Sequence, residues 1–207
     1  MSERPRLRIW FELSGVVPLA VYTLVHVGSY AGALFGRTTF GVASPARPLW
    51  LALEIALVWL PLLFHTGYGL RLLSAPLEPE PLERQRGFLL RASGCVALPL
   101  LLAHAWWLKM PLWRGTRAPE DLAQMLAAGL STTVHGLPLS AALHFVGLAA
   151  LALHLGLGLG SFAEKWGLLT RIPARRAAGL LSLLLFLVGS ATVVELATGS
   201  ALPHFVR

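Results

Sequence analysis

Four histidines, His26, His65, His104 and His154, lie inside long apolar runs of this chain. An ionisable ring in hydrocarbon costs free energy unless it is paired or ligated, so each is a candidate for chemistry. Neutral imidazole is a good axial ligand to haem iron. Two imidazoles on opposite sides of the metal leave no position open for a substrate, which suits electron transfer. His65 is followed by Gly69 and His154 by Gly158, each glycine one turn on and on the same helical face as its imidazole. A small residue there leaves room for something flat and wide beside the helix, as a porphyrin is.

Side chains of this kind need elements that carry them into a bilayer, and the composition supplies those elements. The 207 residues are 56% hydrophobic and 13% charged, with a mean hydropathy of +0.67, a balance that belongs to a chain solvated by lipid. The net charge of +7 does not point to nucleic acid, because the basic residues stand at the ends of apolar runs and form no stripe interleaved with aromatics. Cys95 is alone, so there is no disulfide framework, no CxxC pair and no CxxCH for covalent haem attachment.

About 20 apolar residues cross a bilayer, and the sequence predicts an all-α membrane protein, one domain over 1–207, with five transmembrane helices in a bundle at 13–35, 49–73, 88–110, 137–162 and 177–197. The first run follows a basic N-terminus as a secretory signal would. It is too long for one, and is read as a retained helix. The third connection contains LAQMLAAGL, read as a short amphipathic helix near the surface. Lys and Arg set the orientation. With the N-terminus inside, eleven (Arg4, Arg6, Arg8, Arg71, Arg84, Arg86, Arg91, Lys165, Arg171, Arg175, Arg176) face the cytoplasm, against six outside (Arg37, Arg47, Lys109, Arg114, Arg117, Arg207). That excess predicts a cytoplasmic N-terminus and an external C-terminus.

Depth then sorts the histidines. His65 and His154 each lie about eight residues from the inner end of their helix, whereas His26 and His104 lie about nine and about six from the outer end. Any one of them could be a packing residue hydrogen-bonded to a neighbouring helix. Four on four helices, two in each leaflet, are harder to explain that way, and they predict two metal centres. His144 could replace an outer ligand or face a quinone, but is read as a helix-end polar residue; His135 and His204 are read as exposed and non-specific.

The pairs Ser14-Gly15 and Ser93-Gly94 precede His26 and His104 on their own helices, and with Gly156, Gly158 and Gly160 they are read first as close-packing residues. Arg71, Arg91, Arg47 and Lys109 stand where haem propionates could pair with them, though most are read as topology anchors. Glu54 is the one carboxylate well inside a span; it is a candidate proton group for a quinone, with snorkelling to the outer surface the favoured alternative.

The segments SGVVPLAVYTLVH, LALEIALVWLPLLFHTGYG, RASGCVALPLLLAH and VGLAALALHLGLGLGSFAEKWG, in that order and spacing, resemble the dihaem cytochrome b membrane anchor of succinate dehydrogenase and fumarate reductase, in its single five-helix form. The resemblance covers nearly the whole chain, most specifically in the second-helix motif. It implies two haem b groups, the inner one on His65 and His154 and the outer one on His26 and His104. It implies menaquinone or another quinone as substrate, and flavoprotein and iron-sulfur subunits docked on the cytoplasmic face. It also implies a multi-pass protein of a bacterial inner membrane, with the oligomeric state left open.

Some fumarate reductases of that family carry a glutamate two residues before the fourth-helix histidine. Ala152 stands there in this chain, which favours succinate oxidation by menaquinone over the reverse reaction. Alternatives are a dihaem cytochrome b anchor of a hydrogenase or formate dehydrogenase, and a haem-free transporter whose helices break at Pro18, Pro61 and Pro99.

Overall fold

The computed structural model describes residues 5–35, 52–118 and 121–199. The first connection with Arg37 and Arg47, the predicted helix start at 49–51, Arg4, His204 and Arg207 lie outside the described residues. Five helices are long and apolar enough to cross a membrane. In chain order, with a shorter helix between the third and fifth, they are α1 (Arg6–Phe35), α2 (Ala52–Leu72), α3 (Pro81–Trp113), α4 (Leu122–Ser131), α5 (Leu139–Lys165) and α6 (Arg171–Thr198).

Several of these helices run past the apolar spans, because hydropathy stops reporting a helix where water begins while capping does not. The α3 helix starts at Pro81, whose missing N–H is no loss at a first turn. Before it, Glu80 is extended and its carboxylate accepts the Glu83 N–H at 2.7 Å, satisfying one of the orphan donors there. At the other end of the chain Gly199, with φ 61°, closes α6 in the left-handed conformation.

None of the three suspect prolines breaks a helix. Pro18 sits in a π-helical stretch, Gly15–Ala20, and a second one, Ile55–Trp59, lies just before Pro61. The wider turn absorbs the N–H that proline cannot supply. The α3 helix continues through Pro99 and Pro111.

Lipid as solvent inverts the usual pattern of exposure. Leu63 and Leu180 are 71% and 69% exposed, while the interior is lined by small residues that let backbones approach. Along the α5–α6 seam Gly156 and Gly160 face Ala174, Ala178 and Ser182; a Cβ on Gly156 would lie 2.7 Å from the Ser182 Cβ. Ala152 is buried beside Ala20, Leu155 and Leu185, and its carbonyl accepts the Ser182 hydroxyl.

Over the end of the bundle that carries Leu108 and Ala141, α4 packs as a cap. Its Leu126 and Leu130 are buried with Leu108 of α3 and Ala141 of α5, and Gly129 is covered by the Trp107 ring. The amphipathic reading of this segment therefore describes a helix whose apolar face is used inside the protein.

The α5–α6 seam yields a test. Gly156→Ala forces a methyl into Ser182 and should cost about 1–3 kcal/mol by overpacking; adding Ser182→Gly should recover most of it. Thermal unfolding of the purified protein in detergent checks both. Equal stability of the two variants would mean that the seam is not where the helices meet.

Candidate functional site

The first pair joins α2 to α5. His65 and His154 face each other with ring centroids 6.1 Å apart and planes crossed at 90°. Each ring is gripped from the membrane-length helix before its own, α1 for His65 and α3 for His154. On α1 the Phe11 carbonyl accepts from His65 Nδ1 at 3.1 Å, and the Ser14 hydroxyl, which donates to the same carbonyl at 2.8 Å, lies 3.3 Å from that nitrogen. On α3 the arrangement repeats: the Leu90 carbonyl accepts from His154 Nδ1 at 3.0 Å, with Ser93 donating to that carbonyl and its oxygen 3.5 Å from the nitrogen.

A carbonyl oxygen can only accept, so Nδ1 carries the proton in both rings. The lone pair is therefore on Nε2. Gly15 and Gly94 complete the grip, since a Cβ there would lie 2.5 Å from the Cε1 of His65 and 3.0 Å from that of His154. The Phe11 ring also stacks on His65 at 4.4 Å and 12°.

The second pair joins α1 to α3. His26 and His104 have centroids 6.2 Å apart and planes at 88°, and His26 lies between Tyr22 and Tyr30, one turn away on each side. His104 Nδ1 lies 3.1 Å from His144 Nε2, and His144 Nδ1 lies 2.8 Å from the Ser140 carbonyl. All five imidazoles are half-buried.

Both pairs fit an iron between them. Two metal–imidazole bonds of about 2 Å each, plus the distance from each nitrogen to its ring centre, put the centroids about 6 Å apart. Among the described residues no three His, Cys, Asp or Glu side chains gather as a protein-only metal cage would require. Beside the inner pair Gly158 faces open space, whereas Gly69 is in ordinary contact with Phe11 at 3.7 Å. Of the two glycines, only Gly158 keeps the room expected of it.

Other candidate residues find different partners. Ser14-Gly15 and Ser93-Gly94 serve the histidines of α2 and α5 rather than those of their own helices. Sequence reasoning missed this because residues 51 and 61 positions apart meet only after the helices pack. The available signal was one Ser-Gly dipeptide recurring on α1 and α3, the membrane-length helices that precede those of His65 and His154.

Arg91 donates to the Leu73, Ala75 and Pro76 carbonyls and so closes the α2–α3 turn. His135 is exposed in the tight turn between Val134 and Leu137, with φ 53°. At the opposite end of the bundle from α4, Glu83 and Glu164 are bound to Arg171 and Arg175, and Glu12 to Lys165 and Trp166.

Glu54 has fixed partners. Lys109 reaches both of its oxygens, at 2.8 and 3.0 Å, and Trp59 Nε1 donates at 3.2 Å. The Glu54 side chain is 17% exposed and that of Lys109 25%, so the pair ties the start of α2 to the end of α3.

The chain is 26% identical over 182 residues to the succinate dehydrogenase cytochrome b558 subunit of Bacillus subtilis (strain 168), covering 84% of this chain and 86% of that protein. The resemblance read from the four helical segments is thus found in a named relative, along nearly the whole length of both chains. No protein-family model matches the chain, and no solved structure matches it.

The Glu54–Lys109 pair can be tested apart from any cofactor. Lys109→Met leaves the carboxylate without its cation and should destabilise the protein by about 3 kcal/mol, whereas Glu54→Gln with Lys109→Met removes both charges and should restore much of the loss. Melting temperatures of the two variants in detergent decide it. A double variant as weak as the single one would show that the ion pair is not the cause.

Proposed function

We propose that this chain is the dihaem cytochrome b anchor of a succinate:quinone oxidoreductase. In this reading His65 and His154 hold a haem b in the inner leaflet, and His26 and His104 hold one in the outer leaflet. The single observation that carries it is the geometry of the two pairs: four imidazoles on four helices, two and two, at the separation an iron between them needs. The similarity to a succinate dehydrogenase subunit supports the choice among dihaem cytochromes. The N-terminus is cytoplasmic, as the Lys and Arg excess indicates. Flavoprotein and iron-sulfur subunits dock on that face and carry the dicarboxylate chemistry.

When bound, the two b haems supply a one-electron carrier in each leaflet between the iron-sulfur subunit and a quinone, taken to be menaquinone. The chain's own residues do the rest. Phe11 and Leu90, through their carbonyls, keep the inner imidazoles protonated at Nδ1, so that each presents a neutral Nε2 lone pair to iron and needs no proton loss to bind it. Glu54 exchanges protons with quinone at the outer end, where the Lys109 ammonium lies within hydrogen-bond distance of both its oxygens. Quinone reduction consumes two protons with its two electrons. Ala152 is 2% exposed against Ala20 and Leu185, so a carboxylate of the fumarate reductase kind has neither presence nor room there. That favours the succinate-oxidising direction.

Purified from its host's membranes, the protein should bring a flavoprotein and an iron-sulfur subunit with it and contain two haems b per chain by pyridine haemochrome assay. Replacing His65 or His154 by Ala should remove one haem and leave the other. Imidazole planes crossed at 88° and 90° act equally on two iron d orbitals and leave them nearly degenerate. Both ferric centres should therefore give strongly anisotropic low-spin electron paramagnetic resonance signals. One haem per chain, or none, defeats the proposal.

A further inference from the structure

His144 is a polar group in a membrane-length helix to which the proposed function gives no task. Its place in the structure is specific. Ser140, one turn earlier on α5, offers a carbonyl that can only accept, so His144 Nδ1 carries the ring proton. The lone pair is then on Nε2, and Nε2 is the atom 3.1 Å from His104 Nδ1. It follows that His104 donates and His144 accepts. That fixes His104 as the Nδ1–H tautomer with its own lone pair on Nε2, the state the inner ligands reach by donating to backbone carbonyls. The His104 and His144 rings stand 5.3 Å apart at 74°, so the acceptor also fixes the rotation of the ligand ring.

The three traced grips differ in one respect. His65 and His154 donate to amide carbonyl oxygens, and His104 donates to an imidazole nitrogen. An sp² ring nitrogen is far more basic than a carbonyl oxygen and draws the shared proton further from the ligand ring. The ligand gains imidazolate character and becomes a stronger donor to its metal, an effect of the kind by which partners behind metal-binding histidines tune their sites. A stronger donor stabilises ferric over ferrous iron. The same helix serves both centres: His154 lies ten residues beyond His144, about 15 Å along α5, and turned to another face.

We propose that His144 is a positioning residue for the outer haem: it orients His104 through the Nδ1–H···Nε2 hydrogen bond and holds the outer haem's reduction potential below the value that a carbonyl acceptor would give. This rests on the dihaem reading above. It also assigns His144 a place behind the ligand, not on the iron, because the ring facing His26 at 6.2 Å is that of His104.

The experiment is a redox titration of the purified complex, followed in the haem α-band, with haem quantification, for wild type, His144→Leu and His144→Gln. Leu removes the acceptor, whereas Gln offers an amide oxygen in its place. With wild type at two haems per chain, His144→Leu should shift the outer component to a more positive potential and leave the inner one unmoved. His144→Gln should lie between the two, with both haems low-spin. Loss of the outer haem from the Leu variant alone, with the Gln variant intact, also supports the assignment, since only the accepting atom distinguishes them.

Loss of the outer haem from both variants would make His144 a ligand or a mere packing residue and overturn the proposal. So would full occupancy in His144→Leu with neither potential moved, or with both moved together. A wild-type protein without two haems would instead strike the function proposed for the chain, so the two failures are told apart by the first sample.

Discussion

The organising interaction of this protein is a hydrogen bond between a ring nitrogen on one membrane-length helix and a backbone carbonyl on the membrane-length helix before it. In hydrocarbon neither group can fall back on water, so the pair is held by the cost of leaving it unmade. Twice, at Phe11 with His65 and at Leu90 with His154, that bond sets at once the contact between two helices, the tautomer of the imidazole and the direction of its lone pair. The serine three residues after each carbonyl, and the glycine after that, are the local conditions for it. The hydroxyl fills the polar corner, and the missing Cβ lets the ring lie against the backbone.

Packing in lipid follows a different economy from packing in water. Burial of large apolar side chains gains little when the alternative is an acyl chain, so close approach and internal polar pairing hold the helices instead. The glycines of α5 divide between these tasks. Gly156 and Gly160 lie against α6, and Gly158 keeps a face open beside the His65–His154 pair. The half that holds His26 and His104 is closed by other means: the cap α4 beneath Trp107, and the Glu54–Lys109 ion pair between α2 and α3.

The two histidine pairs are alike in separation and in crossing angle but not in what stands behind them. Carbonyls back His65 and His154, and an imidazole backs His104. In the function proposed for the chain two centres pass electrons and their potentials need ordering, and a change of acceptor behind one ligand is a small structural means of doing so. The start of α3, the end of α5 and the start of α6 are tied by Glu83, Glu164, Arg171 and Arg175. That charged end lies on the side where the soluble subunits are proposed to sit.

The linear order of residues was enough for the number of spans and for which histidine stands beside which, His65 with His154 and His26 with His104. Hydrophobic length is a local property, and depth is only a count along a helix. Helix ends beyond the lipid, such as Pro81 for α3, lay past that reach because capping there depends on Glu80 and not on apolarity. The partners of Ser14, Ser93, Glu54 and His144 were decided only by tertiary structure. Each points sideways onto another helix, and which helix lies there is set by how the bundle closes. The same residue types at the same spacings could have served as packing residues, snorkelling groups or ligands until the neighbouring helix supplied the second atom of each bond.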